Sequence, residues 1–202
     1  MKTADCEAFL NSMRDLRERK PFELYGFCLM TNHFHLLIKP LDTSISRIMQ
    51  SLLVSHTGRY HKAHRSLGHV WQGRFKSPVI QDDDHLLLVL RYIEANPVRA
   101  KMVKRAGDYA WSSYTAHGLG IVDDLLSPCL PYEQLSPYPA IRKRRWDAYV
   151  HETPDSEELA AIRRSLDRSL PLGSAEWVER LAKELNLDLT IRPRGRPRTT
   201  KT

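Results

Sequence analysis

The sequence predicts an α+β protein in which a short antiparallel hairpin packs among amphipathic helices. Residues 22–30 and 33–39 are apolar runs of strand length separated by a polar pair, which is typical of a β-hairpin. Apolar residues recur at helical spacing on both sides of the hairpin, over residues 4–19 and 44–63. The 202 residues are 42% hydrophobic and 27% charged, which is the composition of a folded globular protein.

Local signals place the element boundaries. Pro21 ends the first helix, Pro40 ends the second strand, and Ser44 is a cap for the second helix. The carboxylates of residues 82–84 favour the start of a third helix, which the Asn96-Pro97 pair interrupts. The remaining predicted elements are a strand over 76–80, the helix over 84–95, a helical restart over 98–104, a loop-rich segment after 107, and two small helices over 155–169 and 174–186.

Several classes of protein are excluded by composition. No apolar run approaches the roughly 18 residues that span a bilayer, and the N-terminus lacks the apolar core of a signal peptide. Three widely spaced cysteines argue against a disulfide framework or a four-cysteine zinc site. We therefore expect a soluble, cytoplasmic protein that does not bind membranes.

The charge of the chain favours a polyanionic partner. The formal net charge is +7 and the pI is near 9.4. Basic residues concentrate in three places: the acid-free stretch between Asp42 and Asp82, the run at 142–145, and the segment 192–202. Nucleic-acid binding is the functional interpretation of this pattern, and a solvated basic surface is the alternative.

A His-Phe-His triplet opens the second predicted strand. Side chains alternate across a strand, so His33 and His35 project from one face while Phe34 projects from the other. Two neighbouring imidazoles can share a divalent metal, and they can also form a structural pair.

The third predicted helix carries Tyr92 and Asn96 four positions apart, on one helical face. A phenol and an amide on this face can approach one metal centre together, although a core tyrosine and a helix-capping asparagine fit the same spacing. Residues 68–76 interleave aromatic and basic side chains, a composition that suits base stacking and phosphate contacts as well as a packed turn.

Four motifs carry a family resemblance over roughly residues 5–120. In order along the chain they are LMTNHFHLLIKP, GHVWQGRFKS, RYIEANPVRAKMV and WSSY. With these motifs the chain resembles the REP-associated tyrosine transposases (RAYTs) of the single-tyrosine HUH transposase superfamily (insertion sequence 200-like). The resemblance implies a ferredoxin-like antiparallel sheet with helices on one face.

The resemblance also implies roles for individual residues. His33 and His35 would bind Mg²⁺ or Mn²⁺ with Asn96 as the third ligand. Tyr92 would be the nucleophile, in preference to Tyr60, Tyr109 and Tyr114. The implied activity is a metal-dependent endonuclease and strand transferase in DNA transposition, which cleaves and rejoins single-stranded DNA near REP-like hairpins through a 5′-phosphotyrosine. DNA contacts are expected from Trp71, Gln72, Arg74, Lys76, Arg99, Arg194, Arg196 and Arg198.

Three regions are predicted: a transposase-like domain over 1–120, a loop-rich and helical extension over 121–191, and a disordered basic tail over 192–202. The tail resembles an AT-hook, which would take A·T-rich duplex DNA through its minor groove. Family members usually carry one more strand before the first helix. Without that strand the edge of the His33–Lys39 strand is open. Three explanations fit: a start codon placed too late, a decayed copy, or a homodimer that pairs across the open edge.

Other functions remain open at this point. A catalytically inactive DNA-binding protein derived from such a transposase would keep the basic surface, and an RNA-binding regulatory module would share the same stacking and phosphate contacts. A water-activating metal hydrolase is a weaker alternative, since the sequence offers no obvious carboxylate base. If the chain is a transposase, we expect it in the cytoplasm with the bacterial nucleoid.

Overall fold

The computed structural model describes residues 2–189, in which helices surround one antiparallel pair of strands. The elements in chain order are α1 (Thr3–Arg19), β1 (Phe22–Leu29), β2 (Phe34–Pro40), α2 (Ile45–His64), α3 (Asp83–Glu94), α4 (Asn96–Arg99), a 3₁₀ turn (Ala106–Asp108), α5 (Tyr114–His117), α6 (Leu130–Glu133), α7 (Pro139–His151), α8 (Ser156–Arg168) and α9 (Ala175–Glu184). The predicted α+β class and the predicted hairpin are confirmed, and the ferredoxin-like description and the domain boundaries stay predictions.

The hairpin closes directly after β1. The Met30 amide donates to the His33 carbonyl at 2.8 Å, and the two strands pair from Phe22 opposite Pro40 to Leu29 opposite Phe34. The pairing shifts by one residue between Leu24 and Gly26. Such a shift bends a strand and increases its local twist.

The two faces of β2 pack against different helices. Phe34, Leu36 and Ile38 join the hydrophobic core formed with α1 and α2. Leu37, one residue out of phase, joins the second core, formed with α3 and α7. We call these sides the α1–α2 face and the α3 face. The alternation predicted for the His-Phe-His triplet is confirmed, because Phe34 packs on the α1–α2 face.

A glycine allows α3 to lie directly on the sheet. A Cβ placed on Gly26 would lie 2.2 Å from Cδ1 of Leu90, which is closer than non-bonded carbon atoms approach. Leu90 is fully buried in the core of the α3 face, two residues before Tyr92. The glycine therefore sets how near the tyrosine-bearing helix comes to β1.

Three predictions of secondary structure are wrong. The helical restart expected over 98–104 is the four-residue helix α4, which begins at Asn96 and ends at Arg99. Residues 76–80 do not form a strand, because Pro78 lacks an amide hydrogen and only Ile80 makes an isolated bridge, to Leu172. A helix, α7, occupies part of the segment that was expected to be loop-rich. Pro139 stands at its first turn, where the missing amide hydrogen costs nothing.

The last two described helices and the residues before them contact two parts of the preceding chain, the loop over 76–81 and helix α3. Lys76 pairs with Asp167 of α8 at 3.4 Å, and the Ser174 amide donates to Oε1 of Gln81 at 2.6 Å. On the other side, Arg91 of α3 donates to the Glu152 carbonyl at 2.9 Å, just before α8. The connection and α8 thus lie against the helix that carries Tyr92.

Candidate active site

The two histidines of the triplet lie together at the start of β2. Their ring centroids are 5.0 Å apart and the rings are nearly perpendicular, at 86°. His33 is exposed and His35 is half-buried. Nδ1 of His33 lies 2.7 Å from Oδ1 of Asn32. Because that oxygen can only accept, Nδ1 carries the proton and Nε2 keeps a free lone pair.

Burial keeps both imidazoles in their neutral form near neutral pH. It lowers the pKa of His35 to about 4, with smaller contributions from the charges of His33 and Arg99. Although its side chain is exposed, neighbouring protein atoms partly desolvate the ring of His33 and lower its pKa as well. A neutral imidazole has a lone pair for a metal ion, whereas an imidazolium has none. The pair is therefore in the protonation state that metal binding requires.

Tyr92 of α3 reaches the same place from the other side. Its ring centroid lies 5.8 Å from that of His35, at an interplanar angle of 84°. Cζ of Arg99 lies 3.8 Å from the centroid of the Tyr92 ring, in a cation–π contact. The structure thus brings together a histidine and a tyrosine that are 57 positions apart in the sequence, as the family resemblance implies.

Asn96 opens α4, one helical turn after Tyr92. Its side chain is 9% exposed, and Nδ2 has no hydrogen-bond partner among the described residues. This nitrogen is a hydrogen-bond donor and cannot bind a cation, so the amide can serve as a metal ligand only through Oδ1. The alternative role of Asn96 as a helix cap receives no support, because its side chain makes no capping hydrogen bond at either helix end.

This set of donors fits a divalent cation. Two neutral imidazoles and one amide oxygen form a mixed ligand set that leaves coordination positions for water and phosphate. Among residues 2–189 no group of three or more His, Cys, Asp or Glu side chains could hold a metal ion. Metal binding by His33, His35 and Asn96 therefore stays a prediction.

The residues expected to contact DNA are only partly brought to this site. Arg99 lies on the Tyr92 ring, whereas Trp71 packs on the α1–α2 face and its indole N–H donates to Oγ1 of Thr57 at 2.9 Å. Gln72, Arg74 and Lys76 are exposed on the loop that follows Trp71. Arg194, Arg196 and Arg198 lie outside the described residues. DNA contact by all of these side chains stays a prediction.

Sequence reasoning missed a buried network that holds α3 in place. Glu94 is 0% exposed and accepts hydrogen bonds from Ser113 at 2.5 Å, from Nδ1 of His117 at 2.6 Å and from the Trp146 indole at 2.7 Å. A glutamate among the apolar residues of α3 is the only signal in the sequence, and it does not reveal the partners. The network ties the helix of Tyr92 to α5 and α7.

The basic run at 142–145 has a structural role that its charge did not predict. Arg142 donates to the Ser136 carbonyl at 3.0 Å, Lys143 donates to the Leu119 carbonyl at 3.4 Å, and Arg145 donates to the Leu135 carbonyl. Three of the four cations therefore bind loop carbonyls.

In the described part of the chain, no helix has the length and apolar character that a membrane span requires.

Comparisons with known proteins agree with this geometry. Residues 1–96 match the family model described as "Transposase IS200 like". A REP-associated tyrosine transposase from Haemophilus influenzae is 28% identical over 117 residues, which are 52% of this chain and 66% of that relative. The chain thus spans just under two thirds of the length of this curated relative.

A solved structure shares the fold. The structure of a REP-associated tyrosine transposase bound to a REP hairpin superposes with a TM-score of 0.53 at 19% identity, covering 62% of this chain and 75% of that one. Residues 1–96 are therefore similar to the IS200-like transposases. The chain is also similar, over part of its length, to the REP-associated tyrosine transposases, so the resemblance predicted from the four motifs is confirmed.

Proposed function

We propose that this protein cleaves and rejoins single-stranded DNA beside hairpins, with Tyr92 as the nucleophile. One observation carries the proposal: the ring of Tyr92 lies 5.8 Å from that of His35, whose neighbour His33 lies a further 5.0 Å away. A packing tyrosine has no need of two neutral imidazoles with free lone pairs beside it. A nucleophilic tyrosine at a metal-assisted phosphodiester site requires both.

His33, His35 and Asn96 are the residues that would hold the metal, which we propose to be Mg²⁺ or Mn²⁺. When bound, such a cation polarises a phosphate oxygen and lowers the charge that a nucleophile meets. The Asn32 side chain fixes the ring of His33, and burial keeps His35 neutral. These residues thus preorganise the site before any ligand arrives.

In the proposed cleavage step one bond forms and one breaks, and Tyr92 is the only protein group that reacts. Its phenolic oxygen attacks the scissile phosphorus, the bond from phosphorus to the 3′-oxygen breaks, and the phenolic proton is transferred in net terms to the departing 3′-hydroxyl. The product is a phosphodiester between Tyr92 and the 5′ end of the downstream strand. Attack by a 3′-hydroxyl reverses the step and restores the tyrosine, so no nucleotide triphosphate is consumed.

Arg99 is suited to hold Tyr92 in position. Its guanidinium stacks on the phenol ring at 3.8 Å, and Nη2 is buried without a hydrogen-bond partner among the described residues. A positive charge beside the phenol favours the anionic character that develops on the oxygen during attack. The unpaired N–H is also available to a phosphate that moves into reach.

The proposed substrate is a single-stranded segment next to a DNA hairpin. The solved relative is bound to a REP hairpin, and the exposed loop with Gln72, Arg74 and Lys76 supplies basic and amide groups for the backbone. Because 2′-hydroxyl contacts alone distinguish RNA from DNA, competition between DNA and RNA hairpins of one sequence checks the substrate class.

The test is covalent capture of a labelled hairpin oligonucleotide in the presence of Mn²⁺. We expect a denaturant-resistant protein–DNA adduct that Tyr92→Phe abolishes and that a chelator prevents, while DNA binding by Tyr92→Phe remains within about twofold of wild type. Tyr60→Phe is the matched control, because Tyr60 lies on α2, away from the histidine pair. An adduct formed by Tyr92→Phe would refute the assignment, and binding without any adduct would leave a DNA-binding protein that lacks catalysis.

A further inference from the structure

A cavity of about 330 Å³ opens beside Tyr92, on the side of α8. Residues of α3 and α4 line one wall, and residues of α7, α8 and the connection between them line the other. Its volume reaches the lower end of the range of ligand pockets, about 300 Å³. The second wall comes entirely from residues 150–162, beyond the part of the chain that matches the family model.

The cavity combines apolar walls with a basic rim. Val98, Leu159 and Ile162 are among the apolar residues that line it, and Arg99 and Lys104 line it as well. Lys104 is exposed and makes no hydrogen bond or ion pair with another of the described residues. The rim is therefore free to accept a negatively charged group.

The other charges at the cavity are largely compensated. Arg91 lies 3.8 Å from Glu158 and donates to the Glu152 carbonyl, so this arginine is held within the protein. Arg99 is left with a buried, unpaired Nη2, and the nearby charge of Arg163 adds to the local positive potential. Glu152 and Glu158 also line the cavity, so an anion is favoured only on the side of Arg99 and Lys104.

We propose that this cavity receives one unpaired nucleotide of the DNA strand, with the base between the apolar walls and its phosphate at Arg99 and Lys104. The inference rests on the proposed function and deepens it. An apolar slot beside cations complements a planar base that carries a phosphate, whereas a free phosphate would gain nothing from Leu159 and Ile162. Because Tyr92 forms part of the wall, the nucleotide adjoins the phosphate that is cut.

The direct test uses the full-length protein and no cleavage reaction. Methyl NMR spectra are recorded while each of the four deoxynucleoside 5′-monophosphates, and inorganic phosphate separately, is titrated in. We expect at least one nucleotide to shift the methyl signals of Val98, Leu159 and Ile162, and phosphate alone to leave them in place. Equal shifts with phosphate would show that the cavity binds anions and does not recognise the base, which contradicts the proposal. The absence of shifts with all four nucleotides would also overturn it.

A pair of variants on α8 measures the same contact. Leu159→Glu places a carboxylate inside the cavity and is expected to weaken nucleotide binding by about tenfold or more. Leu166→Glu is the matched control, two turns further along α8 and outside the cavity lining, and is expected to bind within about twofold of wild type.

The two hypotheses fail in different ways. If no covalent adduct forms with wild-type protein yet nucleotides shift the cavity methyls, the proposed chemistry fails and the nucleotide site stands. If the adduct forms and Leu159→Glu binds nucleotides as well as Leu166→Glu does, the nucleotide site fails and the chemistry stands.

Discussion

Histidines lie among aromatic rings on both sides of β2, one on α2 and two at the start of β2, but they differ in what they contact. On the α1–α2 face, His56 is 1% exposed and packs against Phe9 and Trp71, at centroid distances of 5.2 and 5.5 Å. On the α3 face, His33 is exposed and His35 is half-buried against Tyr92. The same residue type thus serves a closed core on one side and an accessible site on the other.

The difference shows which feature of a histidine cluster indicates chemistry. Burial lowers the pKa of His56 as it lowers the pKa of His35, so a shifted pKa does not separate the two faces. The accessibility of the ring does separate them, together with the presence of Tyr92, the proposed nucleophile, 5.8 Å from His35. On the α1–α2 face the unpaired Nδ1 of His56 is enclosed, whereas on the α3 face a ligand can reach His33 directly.

The largest expected effect comes from the accessible pair. His35→Ala removes a proposed metal ligand, and we expect adduct formation to slow about a thousandfold, or about 4 kcal/mol. His56→Gln, on the opposite face, is expected to leave the rate within about twofold at neutral pH. Single-turnover kinetics with a labelled hairpin measures both, and equal losses in the two variants would erase the distinction between the faces.

The second effect concerns the network that anchors α3. Glu94→Ala leaves the Ser113 hydroxyl, His117 and the Trp146 indole without their buried acceptor, and we expect a loss of about 3 kcal/mol in the free energy of unfolding. Glu18→Ala, at an exposed position of α1, is the control and should change stability by less than about 0.5 kcal/mol. Urea unfolding followed by tryptophan fluorescence gives both values; a Glu94→Ala protein as stable as the control would show that the network adds nothing.

The third effect is the pH dependence of stability on the closed face. Burial lowers the pKa of His56 below its ordinary value of 6.5, so below that pH the unfolded chain binds a proton that the folded protein does not. Stability should therefore fall as the pH falls through this region, by at most about 1.4 kcal/mol per pH unit from this residue.

Comparison of wild type with His56→Gln isolates that contribution, because the other histidines are common to both proteins. We expect a shallower decline for the variant between about pH 6.5 and pH 5, where carboxyl groups contribute little. Thermal unfolding at several pH values measures the difference. Parallel curves would mean that His56 titrates alike in the folded and unfolded states.

The smallest effect tests whether DNA extends from one face to the other. Arg74 is exposed on the loop that Trp71 anchors to the α1–α2 face. Arg74→Ala is expected to weaken binding of a hairpin oligonucleotide by about threefold and to lower the salt slope by about one. Arg144→Ala, an exposed arginine of α7, should leave both unchanged; the same loss in both variants would point to a general charge effect.

Local patterns were sufficient for most of the elements around the site. Apolar spacing predicted α1, α2, α3, α8 and α9, and strand alternation placed Phe34 opposite the histidines. The meeting of His35 with Tyr92 depends on long-range packing, and only the family resemblance anticipated it.

The errors come from contacts distant in sequence. The helix at 139–151 was not predicted, because prolines and a basic run interrupt its apolar pattern. Only Trp146 and Val150 of α7 are buried, so the pattern is weak. The acceptor of the Trp146 indole lies 52 positions earlier, at Glu94, and no local pattern connects the two. The bridge between Ile80 and Leu172 likewise joins two segments that are too far apart in the sequence for a helical or strand pattern to connect them.

The close approach at Gly26 links a position in β1 to the packing of the helix that carries Tyr92. A β-carbon there would lie 2.2 Å from Cδ1 of Leu90, so either the Leu90 side chain or α3 itself would have to shift. If α3 shifts, the separation of the Tyr92 and His35 rings changes with it. The spacing between two of the proposed site residues thus depends on a position in β1 that takes no direct part in the site.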